Sequence, residues 1–134
     1  MVESTRDNLS IRADNEKRRL YFSQRGILDK ESVFESYHLM LAFDGYDTGY
    51  DRIADYREIT QINLNAVDFR EIIAEGLELS NQNIRAAIVI GDDAGRLFLL
   101  KLFCELSNIF SAAKVVYKAF RTMPAAEEWL DSKP

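Results

Sequence analysis

The sequence predicts an α/β fold: one domain with a mixed, mostly parallel β-sheet, an N-terminal β-hairpin and about four helices, in the order ββαβαβαβα. The first observation behind this prediction is a run of consecutive apolar residues, 86–90. It ends at a Gly-Asp-Asp turn, and a long apolar helical pattern follows at once. A strand that is apolar at consecutive positions is buried on both faces, as in the centre of a helix-covered sheet. The second observation is that helical patterns alternate with short apolar segments along most of the chain, as in βαβ units.

An N-terminal hairpin is expected after a flexible leader at residues 1–8. Apolar and polar residues alternate over residues 9–13, which is the pattern of a half-buried strand. Residues 20–22, Leu-Tyr-Phe, predict the second strand, and Gly26 is expected to end it. The basic run of residues 17–19 follows the turn of this hairpin and is interpreted as its solvated edge.

Two helices with recognisable N-terminal caps are predicted next. Asp29 is expected to cap the first helix, and Gly45 is expected to end it. A short strand over residues 52–56 and a connecting segment follow. Asn65 is then expected to cap the second helix, with Asp68 at its third position.

The third helix carries more apolar surface than packing on one sheet requires. It is expected over about residues 94–110, with a narrow polar stripe formed by Lys101, Glu105 and Asn108. A helix that rests on one sheet needs only about a third to a half of its circumference to be apolar. A second contact surface is therefore expected on this helix.

The chain is expected to end in a strand and a helix. Residues 115–120 predict the fifth strand, and Thr122 is expected to cap the last helix with Pro124 in its first turn. Because no repeat or linker interrupts the pattern, residues 9–134 are expected to form a single domain.

The composition excludes several classes of protein. The 134 residues carry a formal net charge of −5, which disfavours binding to nucleic acid or an anionic membrane, because both require basic patches. One cysteine, Cys104, excludes an intrachain disulfide and fits a reducing compartment. The N-terminus lacks the apolar core of a signal peptide, and no segment approaches the roughly 18 apolar residues of a membrane span. A cytoplasmic protein without a membrane span is expected.

Three segments carry a resemblance to a known family. They are ADYREI at residues 54–59, AAIVIG at residues 86–91 and VYKAFRTMPAAEEWL at residues 116–130. The last is the most specific, because it is similar to the family's F-R-x-x-x-x-A-x-x-W-L tail. On these segments the chain resembles the SpoIIAA-like family of small bacterial proteins with the STAS fold, which is related to SEC14-like proteins. The resemblance implies a binding or regulatory module rather than an enzyme, and no cofactor is expected.

The chain departs from this family's pattern at the regulatory serine. Anti-sigma-factor antagonists of this fold carry a phosphorylatable serine after an acidic residue, just before the second helix. Counting from Asp55, the acidic position falls on Asn63 and the serine position on Leu64, which has no hydroxyl group. The chain is therefore expected to act without the phosphoserine switch. The SEC14-like relationship implies an alternative, the binding of a lipid or small apolar ligand in a cavity.

One candidate ligand- or partner-binding site combines Asp55 with the loop of Gly91, Asp92 and Asp93, and with Gly95 in the helix that follows. The loop lies at the carboxyl end of a central strand, where α/β sheets bind ligands. A helix N-terminus favours an anion, but the two aspartates would repel one. The alternative is that one aspartate caps the helix and the other is solvated.

The third helix supplies the other candidate binding residues, which are Phe98, Leu99, Leu102, Phe103 and Phe110. Their surplus apolar surface can be core, a self-association patch or one wall of a ligand cavity. The first hypothesis is a non-enzymatic interaction module, homodimeric through this helix, and the second is a carrier of a lipid or small apolar molecule. An enzyme is least supported, since no nucleophile or base pairs with the acidic residues. No metal site is expected.

Overall fold

The computed structural model describes residues 2–6, 8–43, 49–79, 83–110 and 114–132. In these ranges the elements follow one another as β1 (Val2–Arg6), β2 (Leu9–Asp14), β3 (Arg19–Asp29), α1 (Lys30–Leu41), β4 (Asp51–Asn63), α2 (Ala66–Leu79), β5 (Ile84–Val89), α3 (Ala94–Phe110), β6 (Val115–Phe120) and α4 (Met123–Asp131). The strands form one six-stranded sheet, in which they lie in the same order as in the chain.

The sheet is antiparallel at its N-terminal end and parallel over the rest. β1, β2 and β3 are antiparallel neighbours, whereas β3, β4, β5 and β6 are parallel. Each parallel connection passes through one helix, and because such crossovers are right-handed, α1, α2 and α3 lie on the same face. Val33 of α1 and the buried apolar residues of α2 and α3 share one core cluster with the sheet, whereas Leu39 and Met40 of α1 pack in a second cluster with β2 and β3. The mixed, mostly parallel α/β fold predicted from the sequence is confirmed.

α4 packs on the opposite face of the sheet. Its Ala126 and Leu130 contact Ile53 of β4 and Val89 of β5. The central strands are therefore covered on both sides, as the consecutive apolar residues of β5 predict. Within the described part of the chain, no helix combines the length and apolar character needed to cross a membrane.

The predicted helix caps are confirmed. The carboxylate of Asp29 accepts a hydrogen bond from the backbone N–H of Ser32 at 2.8 Å. Asn65 and Asp68 cap α2 reciprocally, since each side chain accepts a hydrogen bond from the other's backbone N–H, at 2.8 and 3.1 Å. Thr122 caps α4. These contacts satisfy backbone N–H groups that have no partner within a helix, and they explain why the starts of these helices are readable.

The expected leader at residues 1–8 differs from the structure. Val2–Arg6 form β1, with Val2 opposite Ala13 and Arg6 opposite Leu9. The segment VESTR has one apolar residue, so no hydrophobic alternation marks it as a strand. Main-chain hydrogen bonds to β2 are independent of side-chain type and can form an edge strand without that pattern.

The prediction that Gly26 ends a strand is wrong. β3 continues through Gly26, whose φ is +82°, and the register with β4 shifts on either side of it. Glycine adopts this left-handed backbone without a steric penalty. The residue therefore forms a bulge inside the strand, and the chain does not turn there.

Two other boundaries differ from the prediction. β4 continues to Asn63, where the sequence predicts a connecting segment after residue 56. This second half of β4 pairs with β3, whereas the pairing with β5 covers only residues 52–55. Because this second half has one neighbouring strand, its side chains are more exposed than those of the first half. It therefore contains no apolar run that would mark it as a strand. α1 ends at Leu41, and Gly45 lies outside the described residues.

The basic run at residues 17–19 is not wholly a solvated edge. Lys17 and Arg18 are exposed, but Arg19 is only 4% exposed and forms ion pairs with Glu127 and Asp131 of α4. The sequence pattern misses this burial because the covering helix lies 108 residues later in the chain.

Candidate functional site

The acidic loop before α3 has the geometry of a helix cap. Asp93 accepts a hydrogen bond from the backbone N–H of Arg96 at 2.9 Å. Gly91 has a φ of +86°, which suits glycine. Asp92 and Gly95 are exposed. Of the two interpretations of this loop, capping by one aspartate accounts for the observed contacts.

Asp55 is held by a neighbouring arginine. Nε and Nη2 of Arg57 each lie 2.8 Å from a carboxylate oxygen of Asp55, and the backbone N–H of Arg57 lies 3.1 Å from one of them. Burial by itself raises the pKa of Asp55, but the hydrogen bonds from Arg57 outweigh it and lower the pKa. An ionised, paired carboxylate is poorly suited to general acid–base work near neutral pH.

The side chain of Arg57 also approaches the acidic loop. Its Cγ lies 3.9 Å from the position that a Cβ would occupy on Gly91. Arg57 therefore pairs with Asp55 and lies beside Gly91, and a binding site formed by these residues stays a prediction. The contacts described for the two aspartates are the Asp55–Arg57 ion pair and the Asp93 helix cap, and both kinds of contact stabilise the fold.

α3 exposes a row of apolar side chains. Phe98 and Ile109 are each 72% exposed, and Leu102 is 41% exposed. Residues at these spacings lie on one face of a helix. We call Phe98, Leu102 and Ile109 the α3 stripe. The apolar excess of this helix is therefore exposed in part, and its use as a second contact surface stays a prediction.

The structure divides the five candidate residues of α3. Phe98 and Leu102 belong to the α3 stripe. Leu99 is half-buried and Phe103 is buried, both in the core beneath the helix, and the side chain of Phe110 lies outside the described residues. Ile109 was missed by the sequence reasoning, although its spacing of three turns from Phe98 is a usable signal.

A cavity of about 80 Å³ lies between the sheet and α1, α2 and α3. Its wall is mostly apolar and includes Phe69 of α2 with Leu100 and Phe103 of α3. β3, β4, β5 and β6 contribute the opposite wall. The cavity therefore sits where three helices meet the centre of the sheet.

A small group of polar side chains interrupts this apolar wall. Arg52, which is 6% exposed, lines the cavity together with Tyr37, Tyr56 and Tyr117. Burial raises the pKa of all three phenols, so their hydroxyls stay neutral. The hydroxyl oxygens of Tyr37 and Tyr117 lie 3.2 and 3.4 Å from the position of a Cβ on Gly76. Glycine at this point of α2 leaves room for both hydroxyls.

The sequence reasoning did not find this polar group. Its members come from α1, β4 and β6, which are far apart in the chain. One signal was available in β4. Arg52, Ala54 and Tyr56 are spaced two residues apart, so their side chains must lie on the same face of the sheet. An arginine on a face that helices cover marks a polar point within the core.

No protein-family model matches the chain, and no curated protein matches it. Among solved structures it is similar to an uncharacterised protein of the DUF3478 family with a SpoIIAA-like fold, from Shewanella loihica PV-4. The two share 21% sequence identity over 91% of each chain, with a TM-score of 0.56. The chain has a SpoIIAA-like fold. This finding confirms the fold that the sequence resemblance predicts.

In this chain with a SpoIIAA-like fold, Leu64, which the sequence resemblance places at the regulatory serine position, has a packing role. Leu64 is half-buried against the main core cluster and lines the cavity.

Cys104 is buried, and burial raises the pKa of its thiol to about 12. Such a thiol is almost entirely protonated at neutral pH and is a poor nucleophile.

Proposed function

We propose that this SpoIIAA-like protein is a non-enzymatic, cytoplasmic interaction module that pairs with a second copy of itself through α3, without a phosphoserine switch. The α3 stripe is the observation that carries the proposal. Large apolar side chains that are exposed in a row along one helix mark an interaction surface, whereas single exposed ones do not.

The exposed face of α3 is complementary to itself. Lys101 and Glu105 are both exposed and lie beside the α3 stripe, one turn apart. If two copies of α3 pack antiparallel about a two-fold axis near residue 103, Lys101 of each copy lies opposite Glu105 of the other. In the same arrangement Phe98 lies near Ile109 of the other copy. One symmetric contact therefore satisfies both the charges and the apolar residues.

The expected dimer is weak. The α3 stripe covers about 17 Å of helix, at about 1.5 Å per residue. Stable interfaces bury roughly 1,200–2,000 Å² in total, more than a single helix pair of this length supplies. We therefore expect a dissociation constant on the order of 10 µM.

The absence of enzymatic activity is supported by how the candidate catalytic groups are used. Asp55 is neutralised by Arg57, and Asp93 caps a helix. The thiol of Cys104 is buried. Catalysis by acid, base or nucleophile requires such groups to face a substrate in a suitable protonation state.

The second candidate function, a carrier of lipid or another small apolar ligand, is supported by the cavity between the sheet and α1–α3. Its volume is about 80 Å³. Pockets for drug-sized ligands measure about 300–1,000 Å³. The cavity size therefore disfavours a lipid with long acyl chains and limits this function to very small molecules.

Sedimentation equilibrium between about 1 and 200 µM tests the pairing, because this range spans the expected dissociation constant. We expect the mass to rise from one chain towards two, and Phe98→Glu to hold it at one. Leu41→Glu is the matched control, since Leu41 is 49% exposed on α1 and should not affect pairing. A single-chain mass at every concentration, or equal loss of pairing in both variants, would refute the proposal.

A further inference from the structure

We propose that the cavity between the sheet and α1–α3 binds a short-chain carboxylate, such as propionate or butyrate. The carboxylate would face Arg52 and the tyrosine hydroxyls, and the hydrocarbon tail would lie among the apolar side chains of α2 and α3. This inference is independent of α3 pairing, because it concerns the buried side of that helix.

The polar groups in the wall favour a ligand that accepts hydrogen bonds. The neutral phenols of Tyr37 and Tyr117 hydrogen-bond each other, so this pair leaves one O–H donor for a ligand, and Tyr56 supplies a second. The Arg52 guanidinium carries five N–H donors, so it can contact a ligand and keep its protein contacts. Planar carboxylates match the guanidinium fork and gain strength from its charge where water is excluded.

The apolar part of the wall selects for a hydrocarbon tail and against an anion that is polar on every side. Apart from Arg52, the three tyrosines and Ser36, every wall residue is apolar. A phosphate or sulfate would lose its hydration without a replacement partner on most sides. A methylene chain gains roughly 0.8 kcal/mol per buried CH₂ from the same surroundings.

The cavity volume sets the length of the ligand. An engineered protein cavity of about 150 Å³ accommodates benzene, which has six heavy atoms. In proportion, about 80 Å³ holds roughly three heavy atoms, so a ligand of four to six heavy atoms fits after the lining side chains move outward. Acetate, propionate and butyrate fall in that range, whereas octanoate does not.

Titration of the full chain with sodium butyrate, followed by methyl NMR, tests the proposal. We expect saturable shifts of Leu100 and Leu28, which line the cavity. Butyrate should bind at least tenfold more tightly than 1-butanol, which has the same tail and no charge. Octanoate should bind more weakly than butyrate. Absence of saturable binding, or equal affinity for butyrate and 1-butanol, would overturn the proposal and leave water as the cavity's occupant.

Three variants identify the site. Ala54→Val fills the cavity with a residue suited to a strand and should abolish binding. Tyr117→Phe removes one hydroxyl and should weaken binding about tenfold, as expected for the loss of a buried hydrogen bond to a charged group. Tyr50→Phe is the matched control, because the Tyr50 hydroxyl donates to Asn15 outside the cavity, and it should bind as the parent does. Unchanged binding in both cavity variants, each shown by its NMR spectrum to be folded, would place butyrate elsewhere and refute the site.

Discussion

The hydroxyl group of Tyr21 on β3 donates a 2.7 Å hydrogen bond to Oε1 of Glu127 on α4. Nη1 of Arg19 donates to the same oxygen at 3.0 Å, and Nη2 of Arg19 pairs with Asp131. Arg19 is almost fully buried. One carboxylate therefore connects a buried cation and a phenol, and this cluster fixes α4 against the sheet in addition to its apolar contacts.

Replacing Glu127 by alanine should lower the free energy of unfolding by about 2–3 kcal/mol. The change leaves the Tyr21 hydroxyl without this acceptor and removes one of the carboxylates that face the buried Arg19 charge. Chemical denaturation monitored by circular dichroism measures the loss. Glu128→Ala is the matched control on the exposed side of α4, and an equal loss in both variants would contradict a special role for Glu127.

Stability should decrease below about pH 4 because two carboxylates ionise more readily in the folded protein. The hydrogen bond from Arg19 lowers the pKa of Asp131, and for Asp55 the hydrogen bonds from Arg57 outweigh the effect of burial. A lowered folded-state pKa adds stability above the ordinary value of 3.8, and that stability is lost as the pH falls through the folded-state pKa.

Denaturant midpoints measured from pH 6 to pH 3, about the range of ordinary carboxyl titration, test this dependence. We expect the midpoint of Asp55→Asn to change less with pH than that of the parent chain. Asp92→Asn replaces an exposed aspartate and should follow the parent. A steeper curve for Asp55→Asn would show that the Arg57 pair does not stabilise the folded state.

Two glycines should respond differently to substitution by alanine. Gly26 has a φ of +82° in the β3 bulge, so Gly26→Ala should cost about 1–2 kcal/mol of stability through backbone strain. Gly95 lies in the first turn of α3, and an added Cβ would make an ordinary 3.5 Å contact with Asp93. Gly95→Ala should therefore be neutral or stabilise by about 0.5 kcal/mol. Thermal unfolding of the two variants compares them directly, and a stable Gly26→Ala would contradict the bulge.

The sequence predicted what depends on local pattern. The caps at Asp29, Asn65 and Thr122, the buried strand β5 and the full extent of α3 follow from short-range periodicity and capping chemistry, and the structure contains all of them. The continuation of β3 through Gly26 was not predictable, because a glycine looks the same at a bulge and at a turn.

The parts of the site that were missed depend on residues far apart in the chain. The exposure of the α3 stripe could be expected from composition, but which apolar residues face solvent depends on how the helix rotates against the sheet. The cavity needs Tyr37, Arg52 and Tyr117 together, and no local pattern relates them. The burial of Arg19 is decided by α4.

Reversing one charge beside the α3 stripe should weaken the proposed dimer, and reversing both should restore it. Lys101→Glu places like charges opposite each other in the antiparallel arrangement, and we expect at least a fivefold weaker dimer from repulsion between close like charges. Combining it with Glu105→Lys exchanges the two charges and should recover most of the affinity. Sedimentation equilibrium in low salt measures the dimer affinity of both variants. Failure of the double variant to recover would exclude the antiparallel arrangement.

α3 has one side in the cavity and the other side in solvent. Leu100 and Phe103 line the cavity, while Phe98, Leu102 and Ile109 form the outer stripe. A rotation of this helix changes both surfaces at once, because its side chains move as one body. If a bound carboxylate favours one rotation of the helix, it alters the dimerisation constant by a certain factor, and dimerisation must alter the carboxylate affinity by the same factor. In such a protein the oligomeric state would report the concentration of a metabolite that never reaches the interface.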